Sequence, residues 1–118
     1  MACRSCTWAR RRSPHHGVRQ RRRSERLDRR CEGETHIYLI RFEPGGVIGP
    51  HEAGLGQLFL PVEGKGWAAG EGGAPVVLNP GDVAHIDRGE IHSKGSDSEM
   101  TALIIQVRDL TPRPELTI

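Results

Sequence analysis

The stretch QLFLPVEGKGWAAGEGGAPVVLNPGD, residues 57–82, alternates short apolar segments with turns rich in glycine and proline. Each segment is too short for an ordinary helix, and glycine and proline break helices and form tight turns. Valine, phenylalanine and tryptophan within the segments favour extended backbone. The stretch therefore predicts three strands joined by turns, at residues 57–62, 66–71 and 75–79.

The same pattern continues on both sides of this stretch. Residues 35–43 (THIYLIRFE) precede the turn at Pro44, Gly45 and Gly46, and further strands are predicted at residues 83–87 and 99–107. No segment of this part of the chain combines helical periodicity with a helix cap. Short strands separated by regular turns are typical of a small sandwich or barrel, so we predict an all-β fold.

Length and composition exclude several classes of protein. A chain of 118 residues allows one domain. Its apolar runs are about four residues long, far below the ~20 that a membrane-spanning helix needs. A multidomain enzyme, a collagen-like fibre and a membrane partner are therefore excluded. All three cysteines precede residue 34, so the folded part needs no disulfide and we expect a cytoplasmic protein.

Residues 1–33 differ from the rest of the chain. They hold eleven arginines and three acidic residues, a net charge of +8, whereas residues 34–118 carry −6. Too few apolar residues are present to offset chain ordering, so we predict a disordered Arg-rich arm over 1–33. The arm is interpreted as a solvated tail, as a segment before a later translation start, or as a weak, salt-sensitive nucleic-acid contact.

The remaining chain is predicted to form a barrel over residues 34–109, followed by a C-terminal tail over 110–118. A barrel of about 75 residues has a marginal core, so we expect a homodimer that buries further apolar surface.

Five residues at fixed spacing carry a first motif. Gly45 is followed after five residues by His51, then by Ala53, by Gln57 after three residues, and by Gly64 after six. This spacing resembles the first motif of the cupins, which runs glycine, five residues, His-x-His, three residues, glutamate, six residues, glycine.

A second set matches the second cupin motif. Gly81, Asp87, Gly89, His92 and Ser96 stand at the positions of its glycine, proline, glycine, histidine and asparagine. The resemblance covers roughly residues 40–109 and is to the small bacterial single-domain cupins of the RmlC-like superfamily (cupin-2 type). It implies a jelly-roll β-barrel, also called a double-stranded β-helix, with a small-molecule ligand in the barrel mouth.

The resemblance also implies a metal site. In metal-binding cupins the histidines and glutamate of the first motif and the histidine of the second ligate a divalent ion. His51 and His92 match two of these ligands, whereas Ala53 lacks the imidazole and Gln57 replaces the glutamate. Glu90 stands two residues before His92 and would share its face on an extended strand. We therefore predict His51, Gln57, Glu90 and His92 as ligands of iron, manganese, zinc or nickel, with Glu90 as a general base.

Two functions stay open at this point. The first is a metal-dependent enzyme, a dioxygenase or an isomerase. The second is a non-catalytic barrel that binds a small ligand or pairs protomers, with an eroded metal site. A purely structural interpretation of two predicted ligands is also open, in which His51 is a loop histidine and Glu90 is an exposed turn residue. The sequence also leaves open whether His85 faces the pocket or the opposite side of its strand.

Overall fold

Nine β-strands and the turns between them make up residues 7–10 and 28–112, which the computed structural model describes. The strands pair antiparallel in two sheets, of order β1-β7-β4-β9-β2 and β3-β8-β5-β6. The all-β prediction is confirmed. Their bounds are β1 Thr7–Arg10, β2 Arg29–Phe42, β3 Val47–Glu52, β4 Gly56–Gly64, β5 Gly66–Gly70, β6 Val76–Leu78, β7 Asp82–Ile86, β8 Ile91–Gly95 and β9 Met100–Pro112. No helix able to cross a membrane occurs in these two described ranges.

The main core lies between the two sheets. Phe59 on β4 is opposite Ile104 on β9 and Ala84 on β7, so these three side chains share the inner face of the five-stranded sheet. Phe42 meets Phe59 edge to face, with ring centroids 6.4 Å apart. The inner row of β4 therefore runs through Gln57 and Phe59, and this row forms one wall of the candidate site.

A glycine is required where β4 turns into β5. Gly64 has a φ of +76°, and a Cβ at this position would collide with the backbone carbonyl oxygen of Glu99. Side-chain-bearing residues rarely adopt such a φ, and no space exists for one here. The last glycine of the first motif is thus needed for chain geometry.

The sheet extends beyond the predicted barrel boundaries. Strand β2 begins at Arg29, five residues before the predicted boundary at 34, because Arg29 to Glu32 pair with the end of β9. For the same reason β9 continues past 109 to Pro112. Within the predicted arm, β1 also pairs with β7. The other residues of the arm, and residues 113–118 of the predicted tail, lie outside the described residues.

Two further strands were not predicted, and they carry the histidines. Strand β3 passes through Gly49 and Pro50, where its pairing with β8 shifts register between Ile48 and His51. A proline has no N–H for the ladder and is tolerated at such irregularities. His51 lies on β3 and His92 on β8, so the interpretation of His51 as a loop histidine is wrong.

The outer face of the five-stranded sheet is apolar as well. Ile37 and Leu39 on β2 lie opposite Ile105 and Leu103 on β9, and they are 66% and 69% exposed. Large exposed apolar side chains on one sheet face are uncommon in a monomer. Beside them lies a second buried cluster, formed by Leu58, Val107 and Leu110.

Candidate functional site in the barrel mouth

Two histidines face each other across the edge of the four-stranded sheet. His51 and His92 are register partners on β3 and β8, and their ring centroids are 4.3 Å apart. His92 is 1% exposed, whereas His51 is exposed at the rim. His51 Nδ1 lies 2.9 Å from the carbonyl oxygen of Gly49, which only accepts, so Nδ1 carries the hydrogen and Nε2 keeps a lone pair.

Lys94, which the sequence analysis did not select, lies inside the barrel on the same face as His92. Its side chain is 2% exposed, and Nζ stands 5.5 Å from the centroid of the Phe59 ring. Burial lowers the pKa of Lys94 to about 8. Within the described part of the chain no carboxylate pairs with it. The alternation of His92 and Lys94 would have indicated a shared face if β8 had been predicted as a strand.

Lys94 determines which nitrogen of His92 carries the hydrogen. Lys94 Nζ lies 3.2 Å from His92 Nδ1, and an ammonium group can only donate. The other nitrogen, Nε2, therefore carries the hydrogen in neutral His92. Burial first, then the charge of Lys94 and the neighbouring His51, lower the pKa of His92 to about 3, so the ring is neutral at physiological pH. The buried Nε2 has no hydrogen-bond partner among the described residues.

Gln57 presents a second unsatisfied group. Its side chain is 3% exposed on the inner face of β4, and within residues 7–10 and 28–112 Oε1 has no hydrogen-bond partner. Gln57 shares the inner face of β4 with Phe59, and His92 shares a face of β8 with Lys94, whose Nζ lies over the Phe59 ring. The site thus presents one buried donor, His92 Nε2–H, and one buried acceptor, Gln57 Oε1. Buried polar groups of this kind normally have partners.

Glu90 does not join the two histidines. Strand β8 begins at Ile91, so Glu90 belongs to the preceding turn, where its Oε1 accepts the backbone N–H of Asp87 at 2.7 Å. Its carbonyl oxygen accepts the N–H of Ala53, and burial raises the pKa of its carboxyl. The prediction that Glu90 shares a face with His92 required extended backbone at position 90, and the turn removes that condition. Its role as a ligand and general base stays a prediction without support from this geometry.

His85 faces away from the pocket. It lies opposite Leu58, on the outer face of the five-stranded sheet, and is 1% exposed. Arg29 Nε donates to His85 Nδ1 at 2.6 Å, and Asp87 Oδ1 lies 3.1 Å from Nε2. Burial and the Arg29 charge lower the pKa of His85. This histidine ties the start of β2 to β7, which answers the question that the sequence left open.

Solved structures identify the fold. The chain matches a cupin 2 domain-containing protein from Halorhodospira halophila with a TM-score of 0.64 and 16% identity, over 89% of this chain and 77% of that one. It matches a cupin-like protein from Thermotoga maritima with a TM-score of 0.60 and 26% identity, over 67% and 64% of the two chains. The chain has the fold of a small cupin domain. The predicted cupin jelly roll is therefore confirmed.

One curated relative adds a likeness in sequence. Over 71 residues the chain is 42% identical to (R)-mandelonitrile lyase of Granulicella tundricola, a match that covers 58% of this chain and 54% of the lyase. The chain thus spans about half the length of that relative. No protein-family model matches the chain.

The residues at this site do not fit a divalent metal ion. Position 53 is a buried alanine, and among the described residues no group of three or more His, Cys, Asp or Glu side chains stands close enough to hold an ion. Lys94 places a positive charge beside His92, whose Nε2 carries a hydrogen rather than a free lone pair. Two imidazoles and one amide, without a carboxylate, form a weak donor set. The predicted ligand set His51, Gln57, Glu90 and His92 is not assembled around one point, because Glu90 is held in its turn.

Proposed function

We propose that this cupin binds a small polar molecule in the barrel mouth and cleaves it as a cyanohydrin lyase. The observation that carries the proposal is the buried pair of unsatisfied groups, His92 Nε2–H and Gln57 Oε1. A cyanohydrin complements this pair, because its nitrile nitrogen accepts a hydrogen bond and its hydroxyl group donates one. The likeness to (R)-mandelonitrile lyase supports the same substrate class.

His51 is suited to the proton transfer. Its Nδ1–H is held by Gly49, so the lone pair of Nε2 is available at the rim of the mouth. The substrate hydroxyl donates its one hydrogen to Gln57 Oε1 on binding and transfers it to His51 Nε2 in the reaction. As the oxygen closes to a carbonyl, the bond to the nitrile carbon breaks. The electron pair leaves with cyanide, which takes up the proton as hydrogen cyanide, so an aldehyde and hydrogen cyanide are released.

The test is benzaldehyde release from racemic mandelonitrile by the full chain, with the rate of the protein-free solution subtracted. We expect release above that rate and a preference for one enantiomer. His51→Ala should lower the rate roughly 100-fold or more, the usual loss for a general base. The matched control is Lys65→Met, which alters an exposed residue. Folded protein without enantiomer-selective release would refute the lyase.

Metal dependence separates this proposal from a metalloenzyme. Because the donor set is weak, treatment with a chelator followed by desalting should leave the rate unchanged. A rate that disappears with the chelator and returns with manganese, iron, zinc or nickel would show that the predicted metal site exists.

A second proposal concerns the outer face of the five-stranded sheet, for which we propose a second copy of this chain as the partner. Ile37 and Leu39, with Leu103 and Ile105 opposite them, form an uncharged surface that can contact its own copy around a twofold axis without bringing like charges together. The small core supplies a further reason, because pairing buries additional apolar area.

Solution mass tests this dimer. Light scattering should give twice the chain mass for the unmodified protein and a single chain mass for Leu39→Glu, since a charge on the face would be desolvated on pairing. The matched control is Val77→Glu, which places the same charge at a 49% exposed valine of the other sheet. A monomeric unmodified protein, or an L39E variant that remains dimeric, would contradict this proposal.

A further inference from the structure

Lys94 is the buried charge that the proposed reaction leaves without a role. Its side chain is 2% exposed, it lies over Phe59, and no described carboxylate pairs with it. A buried ammonium group without a counter-charge is costly, and such groups in proteins are usually paired. Its hydrogen bond to His92 only partly offsets that cost. The barrel interior therefore has a positive charge that a ligand of negative charge would balance.

The ring of His92 connects this charge to the ligand site through its two nitrogens. Lys94 donates to Nδ1 on one side of the ring, and the hydrogen on Nε2, at the other side, has no acceptor in the described part of the chain. Hydrogen bonds in a chain polarise one another, so a cation behind the ring makes Nε2–H a stronger donor. An anion at Nε2 would satisfy the unpartnered hydrogen and the unpaired charge together.

We propose that Lys94 and His92 form an anion subsite in the barrel mouth, in which His92 Nε2–H donates to a small monovalent anion. Lys94 acts there as a positioning residue, because it fixes the hydrogen of His92 on Nε2 and supplies the balancing charge. The inference rests on the proposed ligand site, where the anion would be the departing cyanide. In this barrel the chain's own lysine supplies the positive charge that metal-binding cupins take from an ion.

The first measurement reads the hydrogen position directly. In protein labelled with ¹⁵N at histidine, the ring nitrogens of His92, assigned with His92→Gln, should show hydrogen on Nε2 and an acceptor at Nδ1. Lys94→Met should abolish this fixed form, whereas Lys65→Met, at the other lysine of the chain, should preserve it. Hydrogen on Nδ1 in the unmodified protein would overturn the inference without reference to any variant.

The second measurement is binding of azide and thiocyanate to the chelator-treated protein, at constant ionic strength maintained with chloride. We expect saturable binding seen at the His92 resonances. K94M should weaken it roughly tenfold or more, the usual range for a hydrogen bond assisted by charge, and K65M by less than about twofold. Absence of binding, or equal binding by K94M and K65M, would overturn the subsite.

The two proposals fail separately. Anion binding that depends on Lys94, without cleavage of mandelonitrile, would support the subsite and refute the lyase. Cleavage by a protein that binds neither anion would support the lyase and refute the subsite. Added cyanide and added azide also distinguish product binding from a general anion site, because only a product subsite would make cyanide a markedly stronger inhibitor of cleavage.

Discussion

Replacing Lys94 with methionine should stabilise the folded protein at neutral pH and destabilise it at high pH. Burial lowers the pKa of Lys94 from 10.5 to about 8. Each pKa unit corresponds to about 1.4 kcal/mol, so the buried charge costs the folded state about 3 kcal/mol at every pH below about 8. Methionine keeps most of the aliphatic stem and removes that cost.

The variant also loses contacts, and these set the net effect. His92 Nδ1 loses its donor and Phe59 loses the cation 5.5 Å from its ring, which together cost about 1–3 kcal/mol. The net stabilisation near neutral pH is therefore about 0–2 kcal/mol. Between pH 8 and 10.5 the unfolded chain binds more protons at Lys94 than the folded chain does, so the unfolding free energy of the unmodified protein rises with pH there. Above this range the variant should be the less stable protein.

Urea unfolding followed by circular dichroism measures this directly. The unfolding free energy of the unmodified protein minus that of K94M should increase by about 3 kcal/mol between neutral pH and pH 10.5. Titrating groups that do not contact Lys94 are common to both proteins and cancel in the difference. Lys65→Met, at an exposed lysine, should follow the unmodified protein throughout. A difference that does not change with pH would refute the burial cost assigned to Lys94.

Three further outcomes test other parts of the fold. The unmodified protein should lose stability as pH falls from 6.5 toward about 3, because the unfolded chain protonates His92 and the folded chain does not. The urea midpoint of His92→Gln should fall less steeply with pH, and equal slopes for the two proteins would contradict the lowered pKa of His92. Gly64→Ala should destabilise the protein by roughly 2 kcal/mol and Gly72→Ala by roughly 1 kcal/mol, because both glycines have positive φ but only at Gly64 would a Cβ meet the backbone of Glu99. Equal losses of stability in thermal melts would contradict this steric conflict. Phe59→Ala should cost about 3–5 kcal/mol in the same melts, and a loss below about 1 kcal/mol would show that Phe59 is not a core residue.

Strands bounded by clear turns could be predicted from the sequence. The predicted strand at residues 57–62 lies inside β4 (Gly56–Gly64), because glycine marks both ends and the segment has no competing periodicity. Strand β3 could not be found in this way. Gly49 and Pro50 stand at its centre and indicate a turn to any local rule, whereas pairing with β8 across the sheet keeps the backbone extended.

The candidate site was predictable only where its residues follow the motif spacing. The motif spacing predicted His51, Gln57 and His92 as site residues, and the structure places them on β3, β4 and β8. Glu90 was selected by assuming that a strand runs through it, and the turn before Ile91 removes that condition. Lys94 was overlooked because a lysine in a polar segment is usually exposed, whereas here it is 2% exposed and its Nζ lies over Phe59 of the opposite sheet.

The pairing of His51 with His92 also determines how firmly the site is held. Among the nine described strands β3 is an edge strand, bonded to β8 alone, and its ladder is interrupted between Ile48 and His51. Segments with few backbone bonds open by local unfolding at a lower free energy than the whole domain. Amide hydrogens of β3 should therefore exchange with solvent faster than those of β4 and β9 at the sheet centre. A ligand that bridges the two histidines would close this edge, so its binding should appear as slowed exchange in β3.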